Sequence, residues 1–129
     1  MAETLKTEVR EMREKMRVNL ASKDIAVFDL KQSAGGIADI EFIVQYGVLV
    51  ESQHHGDLSD YTDNVRLLDG LQKYGFIETE DAELLKQAYC AYRDFGHHQV
   101  LQDHPALADA NQFAELRGQV QRIWHTFMN

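Results

Sequence analysis

Residues 42–50 read FIVQYGVLV, apolar throughout except for Gln45 and Gly47. Taken alone, such a run fits a buried strand or a buried helix equally, because periodicity cannot separate the two in so short a span. Its setting favours helix, since no turn signal interrupts the chain from Ile37 to His55. A helix that is apolar on most sides has to be surrounded by other elements, so this segment is the expected centre of a helical bundle.

Breakers are scarce outward from that centre, with one proline and eight glycines in 129 residues, which again favours long helices. Residues 3–17 place Leu5, Val9, Met12 and Met16 at spacings of four and three, an apolar packing seam on a charged helix. Residues 19–36 lack helical periodicity and include a short extended-looking run at 25–30. A loop at 56–61 leads to a helix carrying Val65, Leu68 and Leu71. Gly75 is expected to stop that helix in a left-handed cap, with Phe76 folded back on Leu71. Thr79 reads as the cap of the next helix, whose first turn is acidic. Leu84, Ala88, Ala91, Phe95 and His98 continue it at helical spacing. Residues 103–108, with Pro105, break the chain. Asp109 with Gln112 reads as a capping box for a last helix that buries Phe113, Leu116, Val120, Ile123 and Phe127. The expected fold class is therefore all-α, a helical bundle of about five helices in a single domain over 1–129: a lead-in helix at 1–19, a loop with Gly-Gly at 20–36, and the bundle at 37–129.

Composition narrows the function. Apolar residues make up 44% and charged residues 26%, ordinary for a globular domain. No apolar stretch is long enough to span a bilayer and the first residues are charged, so neither a membrane nor a secretory signal is expected. The formal net charge is −8. The first 17 residues hold five of the 13 basic side chains, leaving eight basic against 17 acidic ones in the rest. Phosphate contacts need a basic face, so a general nucleic-acid binder is excluded. A lone cysteine, Cys90, allows no internal disulfide and fits a reducing, cytoplasmic setting.

Chemistry concentrates at 29–42, DLKQSAGGIADIEF. A lysine, paired glycines and a helix start suit an anion: Gly35 and Gly36 let the backbone approach closely, the amides of Ile37, Ala38 and Asp39 would point outward with the helix dipole behind them, and Lys31 adds a mobile charge. A plain turn is the competing reading. Asp39 and Glu41 are two residues apart and so diverge on a helix. They cannot chelate one metal as neighbours, and Asp39 in the first turn complements the dipole.

The run 28–46, FDLKQSAGGIADIEFIVQY, resembles the glutamine synthetase adenylyltransferase family in its adenylyl-transferring half. The family pattern is a lysine, a short spacer, Gly-Gly and then Asp-Ile-Glu-Phe, here Lys31, Gly35, Gly36, Asp39, Ile40, Glu41 and Phe42. Tyr92, Arg93, Asp94 and the pair His97-His98 resemble a later helix of that family, as do residues 59–68 and 12–16, so the likeness extends over nearly the whole chain. Where the family often carries arginine or threonine, this chain has Ala38. The resemblance implies the helical domain of an enzyme that moves AMP from ATP to a tyrosine of glutamine synthetase, responding to glutamine and to the PII signal protein. It implies a nucleotidyltransferase domain upstream in which spaced aspartates, following a Gly-Ser dipeptide, hold Mg²⁺. No such motif occurs in this sequence, so that domain is expected to be absent, with no catalytic residue in this chain, inactivity on its own, and no tightly bound ATP or Mg²⁺. Lys31, Gly35, Gly36, Asp39 and Glu41 then become support for the nucleotide site, and the upstream domain, glutamine synthetase and PII become the partners. Two other readings compete: the helical domain of a PII uridylyltransferase, which shares a Gly-Gly-x-x-Asp element, and a non-catalytic module that docks a partner on its acidic face.

The remaining polar residues read more plainly. His54-His55 and His97-His98 are adjacent pairs that diverge by about 100 degrees on a helix, so no metal site is expected. Arg93 and His97, four apart, share a face that reads either as a plain exposed polar surface or as an interdomain contact. His98 reads as a packed core residue, and Cys90 as buried filler.

Overall fold

The computed structural model describes residues 2–20, 26–52 and 63–128. Five helices and a two-stranded ribbon make up the described part, in the order α1 (Ala2–Leu20), β1 (Val27–Asp29), α2 (Ile37–Glu51), α3 (Asn64–Lys73), α4 (Thr79–Leu101), β2 (Leu107–Asp109) and α5 (Ala114–Met128). The ambiguous run at 42–50 is helical, within α2. That helix packs against each of the other four, burying Ile40, Ile43, Val44, Tyr46 and Gly47. Its cover is incomplete on one side, where Leu49 is 49% exposed. The loop expected at 56–61 lies outside the described residues, as do His54 and His55.

Local signals set most helix ends. Asp63 caps α3 by accepting a hydrogen bond from the Val65 amide at 2.8 Å. Gly75 adopts φ +83°, and the amides of Gly75 and Phe76 donate to the carbonyls of Gln72 and Leu71 at 3.1 and 2.9 Å, the paired closure that a left-handed residue permits. Leu71 and Phe76 then meet at Gly47, where an added Cβ would lie 2.8 Å from each side chain. A helix apolar nearly all round thus gives up a side chain to let α3 and its cap approach.

Four expectations are corrected. Glu78, without a side-chain cap bond, precedes α4, and the Thr79 hydroxyl instead accepts from Gln72 Nε2 at 3.0 Å, tying α4 back to α3. Asp109 caps no helix. It ends β2, its carboxylate accepts from the Asn111 amide, and α5 begins only at Ala114. Leu107 and Ala108, expected as part of a break, form β2 with Asp109 and pair antiparallel with β1, Phe28 opposite Ala108. The buried face of α4 is centred beside the expected one: Ala82, Leu85, Ala88 and Tyr92 face inward, the expected Leu84 and Phe95 pack at its edge, and Cys90 and His98 are exposed. Leu85, Ala88 and Tyr92 keep helical spacing as well as the Leu84 series does, and the sequence offered no reason to choose between two adjacent stripes.

In α1, Leu5 and Val9 pack on the core, but Met12 is 60% exposed and the residue that turns inward is Arg13, only 1% exposed. Under the ribbon, Phe28, Tyr92, Phe95 and Phe113 form an edge-on aromatic cluster with centroid spacings of 5.2 to 6.2 Å. The Tyr92 hydroxyl in that cluster is buried and finds no hydrogen-bond partner among the described residues. Burial pushes its ionisation well above the ordinary tyrosine range. Because the folded state holds the proton more tightly, stability is full below the unfolded value of about 10 and falls as pH rises beyond it. Tyr92→Phe should therefore stabilise the domain by about 1 kcal/mol at neutral pH and flatten its alkaline loss, as read by urea unfolding at pH 7 and 10.5. A destabilised Phe variant would mean that the hydroxyl has a partner.

Candidate functional site

The loop between β1 and α2 is built from its own hydrogen bonds. Asp29 Oδ1 accepts from the amides of Lys31 and Gln32, both at 3.0 Å, the side-chain turn that aspartate favours. Ser33 Oγ accepts from the Asp29 amide. The Gly36 amide donates to Ser33 O at 2.9 Å, Ile37 to Leu30 O at 2.8 Å and Ala38 to Lys31 O at 2.9 Å. The amides of Ile37 and Ala38 were expected to be free for an anion. They are spent inside the loop, which overturns that part of the anion-cradle reading: the start of α2 has been capped by the chain's own carbonyls.

The glycines serve the same closure. Gly35 adopts φ +81°, and a Cβ there would sit 2.7 Å from the carbonyl oxygen of Arg117 in α5. Gly36 has an ordinary φ of −91°, yet its Cβ would lie 2.7 Å from Leu30 O and 2.9 Å from Ser33 O. The close backbone approach that Gly-Gly permits is to the protein itself. Gly36→Val should therefore lower the melting temperature of the isolated domain, and an unchanged melt would mean that the loop can open without cost.

Asp39 lies beneath the loop, 5% exposed. Its Oδ1 pairs with Arg13 Nε at 2.5 Å and its Oδ2 accepts from the Gly35 amide at 2.7 Å. Arg13 reaches on, donating from Nη2 to Gln32 O at 2.7 Å. From the other side Arg117 donates from Nε and Nη2 to Ala34 O at 3.3 and 3.2 Å, its guanidinium 4.3 Å from the Phe28 ring centroid. Two arginines, from α1 and α5, thus grip alternate carbonyls of one loop.

Lys31 is the loop's exposed cation, on a backbone fixed at both its amide and its carbonyl. Lys31, Gly35, Gly36 and Asp39 therefore share one rigid unit, and Glu41 follows on α2, partly exposed. Arg93 and His97 are exposed on α4, which runs against the loop where Gly96 faces Leu30: a Cβ there would lie 3.5 Å from Leu30 Cδ1. His97 joins Val100 and Leu101 in a surface hollow of about 230 Å³, and those two apolar residues are 63% and 84% exposed. Among the described residues no three His, Cys, Asp or Glu side chains converge on a metal position, and none of the helices is long and apolar enough to cross a membrane. Sequence reasoning passed over Arg13 and Arg117. The one signal for Arg13 was its place four residues after Val9, on the edge of the apolar seam.

The family model of GlnD PII-uridylyltransferase matches residues 3–106. The bifunctional glutamine synthetase adenylyltransferase/adenylyl-removing enzyme of Methylococcus capsulatus is 49% identical over 93% of this chain and 13% of its own length. Those of Pseudomonas syringae and Pseudomonas aeruginosa are 46% and 45% identical over 95% of this chain and 14% of theirs. The chain thus spans about one-seventh of the curated relatives it matches. The matched region includes β1, the Gly-Gly loop and nearly all of the first four helices. The chain belongs to the GlnD PII-uridylyltransferase family, in the form carried by bifunctional glutamine synthetase adenylyltransferase/adenylyl-removing enzymes.

Proposed function

We propose that this chain is the helical domain of a bacterial, cytoplasmic protein adenylyltransferase that transfers AMP from ATP to a tyrosine of glutamine synthetase. It would stand behind a nucleotidyltransferase domain in the AMP-attaching half of the parent protein. The observation that carries the reading is the identity of 44% to 49% with relatives bearing that name. The loop supports it: Lys31 holds an exposed ammonium on a backbone locked by Asp29, Ala38 and Arg13, the arrangement needed to aim one positive charge at a phosphoryl group on a neighbouring domain. Gly35, Gly36 and Asp39 act as scaffold for that charge, and Glu41 begins the helix face beside it. Arg93 and His97, with the apolar Val100 and Leu101, suit contact with the neighbouring domain.

Asp39 does not fit Mg²⁺, because both its oxygens are engaged, by Arg13 and by the Gly35 amide. Metal-assisted steps are accordingly assigned to the upstream domain, and none is routed through this chain. The 129-residue chain, purified free of the parent enzyme, should then give no ATP-dependent labelling of glutamine synthetase. Labelling above a no-protein control would overturn the division of labour.

The family model's description favours a second reading, the corresponding domain of a PII uridylyltransferase. Under it the parent protein would attach UMP to PII and leave glutamine synthetase unmodified.

A further inference from the structure

We propose that Arg13 is a positioning residue that makes α1 the brace for Lys31, so that the seat of α1 sets where the Lys31 ammonium reaches. This deepens, and rests on, the reading of Lys31 as nucleotide-site support. Arg13 is 1% exposed and spans two points of the loop at once: Nε on Asp39 Oδ1 at 2.5 Å and Nη2 on Gln32 O at 2.7 Å. Gln32 is the residue after Lys31, and Asp39 in turn holds Gly35 through its amide. One guanidinium therefore fixes the loop immediately after its exposed cation, at Gln32, and again at Gly35 through Asp39. Arg117, from α5, donates to Ala34 O and not to the residue next to Lys31. The planar fork of arginine can serve two acceptors in fixed directions, whereas a lysine ammonium is a point charge on a flexible stem. A merely structural ion pair needs the charge alone. A brace needs the fork.

That difference supplies the test. Arg13→Lys keeps a cation for Asp39 and so keeps the fold, but cannot hold Asp39 and the Gln32 carbonyl together. In the full-length enzyme, the rate of AMP transfer is expected to fall about tenfold in kcat with KM for the protein substrate unchanged, while the melt of the domain shifts little. The decisive comparison is a cycle with Lys31→Ala. If Arg13 acts through Lys31, the double variant is no slower than Lys31→Ala alone. Multiplying effects would overturn the inference, as would a normal rate for Arg13→Lys beside a slow Lys31→Ala. A normal rate for Lys31→Ala would instead remove the nucleotide-site reading beneath it. If Arg13→Lys does not fold, Gln32→Pro is uninformative because it breaks the loop, and Arg13→Gln paired with Asp39→Asn, which removes both charges together, takes its place in the same cycle.

Discussion

Replacing Lys31 with alanine in the full-length enzyme is expected to slow AMP transfer to glutamine synthetase about a hundredfold, equivalent to roughly 2.7 kcal/mol of transition-state stabilisation. On the proposed reading of the loop, the size follows from removing one oriented charge from a developing phosphoryl transition state. The fold should not notice. Lys31 is exposed, and the bonds that shape the loop use its backbone amide and carbonyl, which alanine keeps. Steady-state rates of the full-length enzyme and thermal melting of the isolated domain, measured as a pair, separate the two effects. An unchanged rate would reduce the loop to a well-made turn, and the functional assignment would then stand on similarity alone.

The second large effect falls on stability. Asp39→Ala leaves the buried guanidinium of Arg13 without its counter-charge and the Gly35 amide without its acceptor. Stripping one partner from a buried pair costs about 3–5 kcal/mol, which lowers the melting temperature of a domain this size by roughly 10 °C or more. Removing both charges, with Arg13→Met and Asp39→Leu together, should cost less than Asp39→Ala, since no orphaned ion remains. The exposed ion pairs give a contrast. Lys86 touches Asp69 and Glu83 at 2.6 and 2.7 Å, but both acids are open to solvent, and Lys86→Ala should change stability by less than about 1 kcal/mol.

The helical architecture was legible because apolar spacing is a local property: the runs through Val65 and Leu71 and through Val120 and Ile123 need only the helical period to be read. The left-handed stop at Gly75 was legible for the same reason, a glycine followed by an aromatic residue at the end of a stripe. What escaped was everything decided by partners distant in sequence. The ribbon joins residues 27–29 to 107–109, and three-residue strands carry too few positions for alternation to show. Tyr92 was noticed for its neighbours in a motif, yet its burial depends on Phe28 and Phe113. Asp39 was placed correctly at a helix start, where the dipole alone explains an acid, and this hid its pairing with Arg13 across 26 residues. Gly35 and Gly36 were read as making room for a ligand. The room is filled by Arg117 and by the loop's own carbonyls, contacts that no local pattern could supply.

Mass spectrometry of glutamine synthetase, incubated with the full-length protein containing this domain and with ATP, tests the functional assignment most directly. Adenylyl transfer predicts one AMP added to a tyrosine-containing peptide, dependent on ATP and strongly reduced by Lys31→Ala. Unmodified glutamine synthetase, beside PII carrying UMP when UTP and PII replace ATP and glutamine synthetase, would contradict it and assign the domain to a uridylyltransferase.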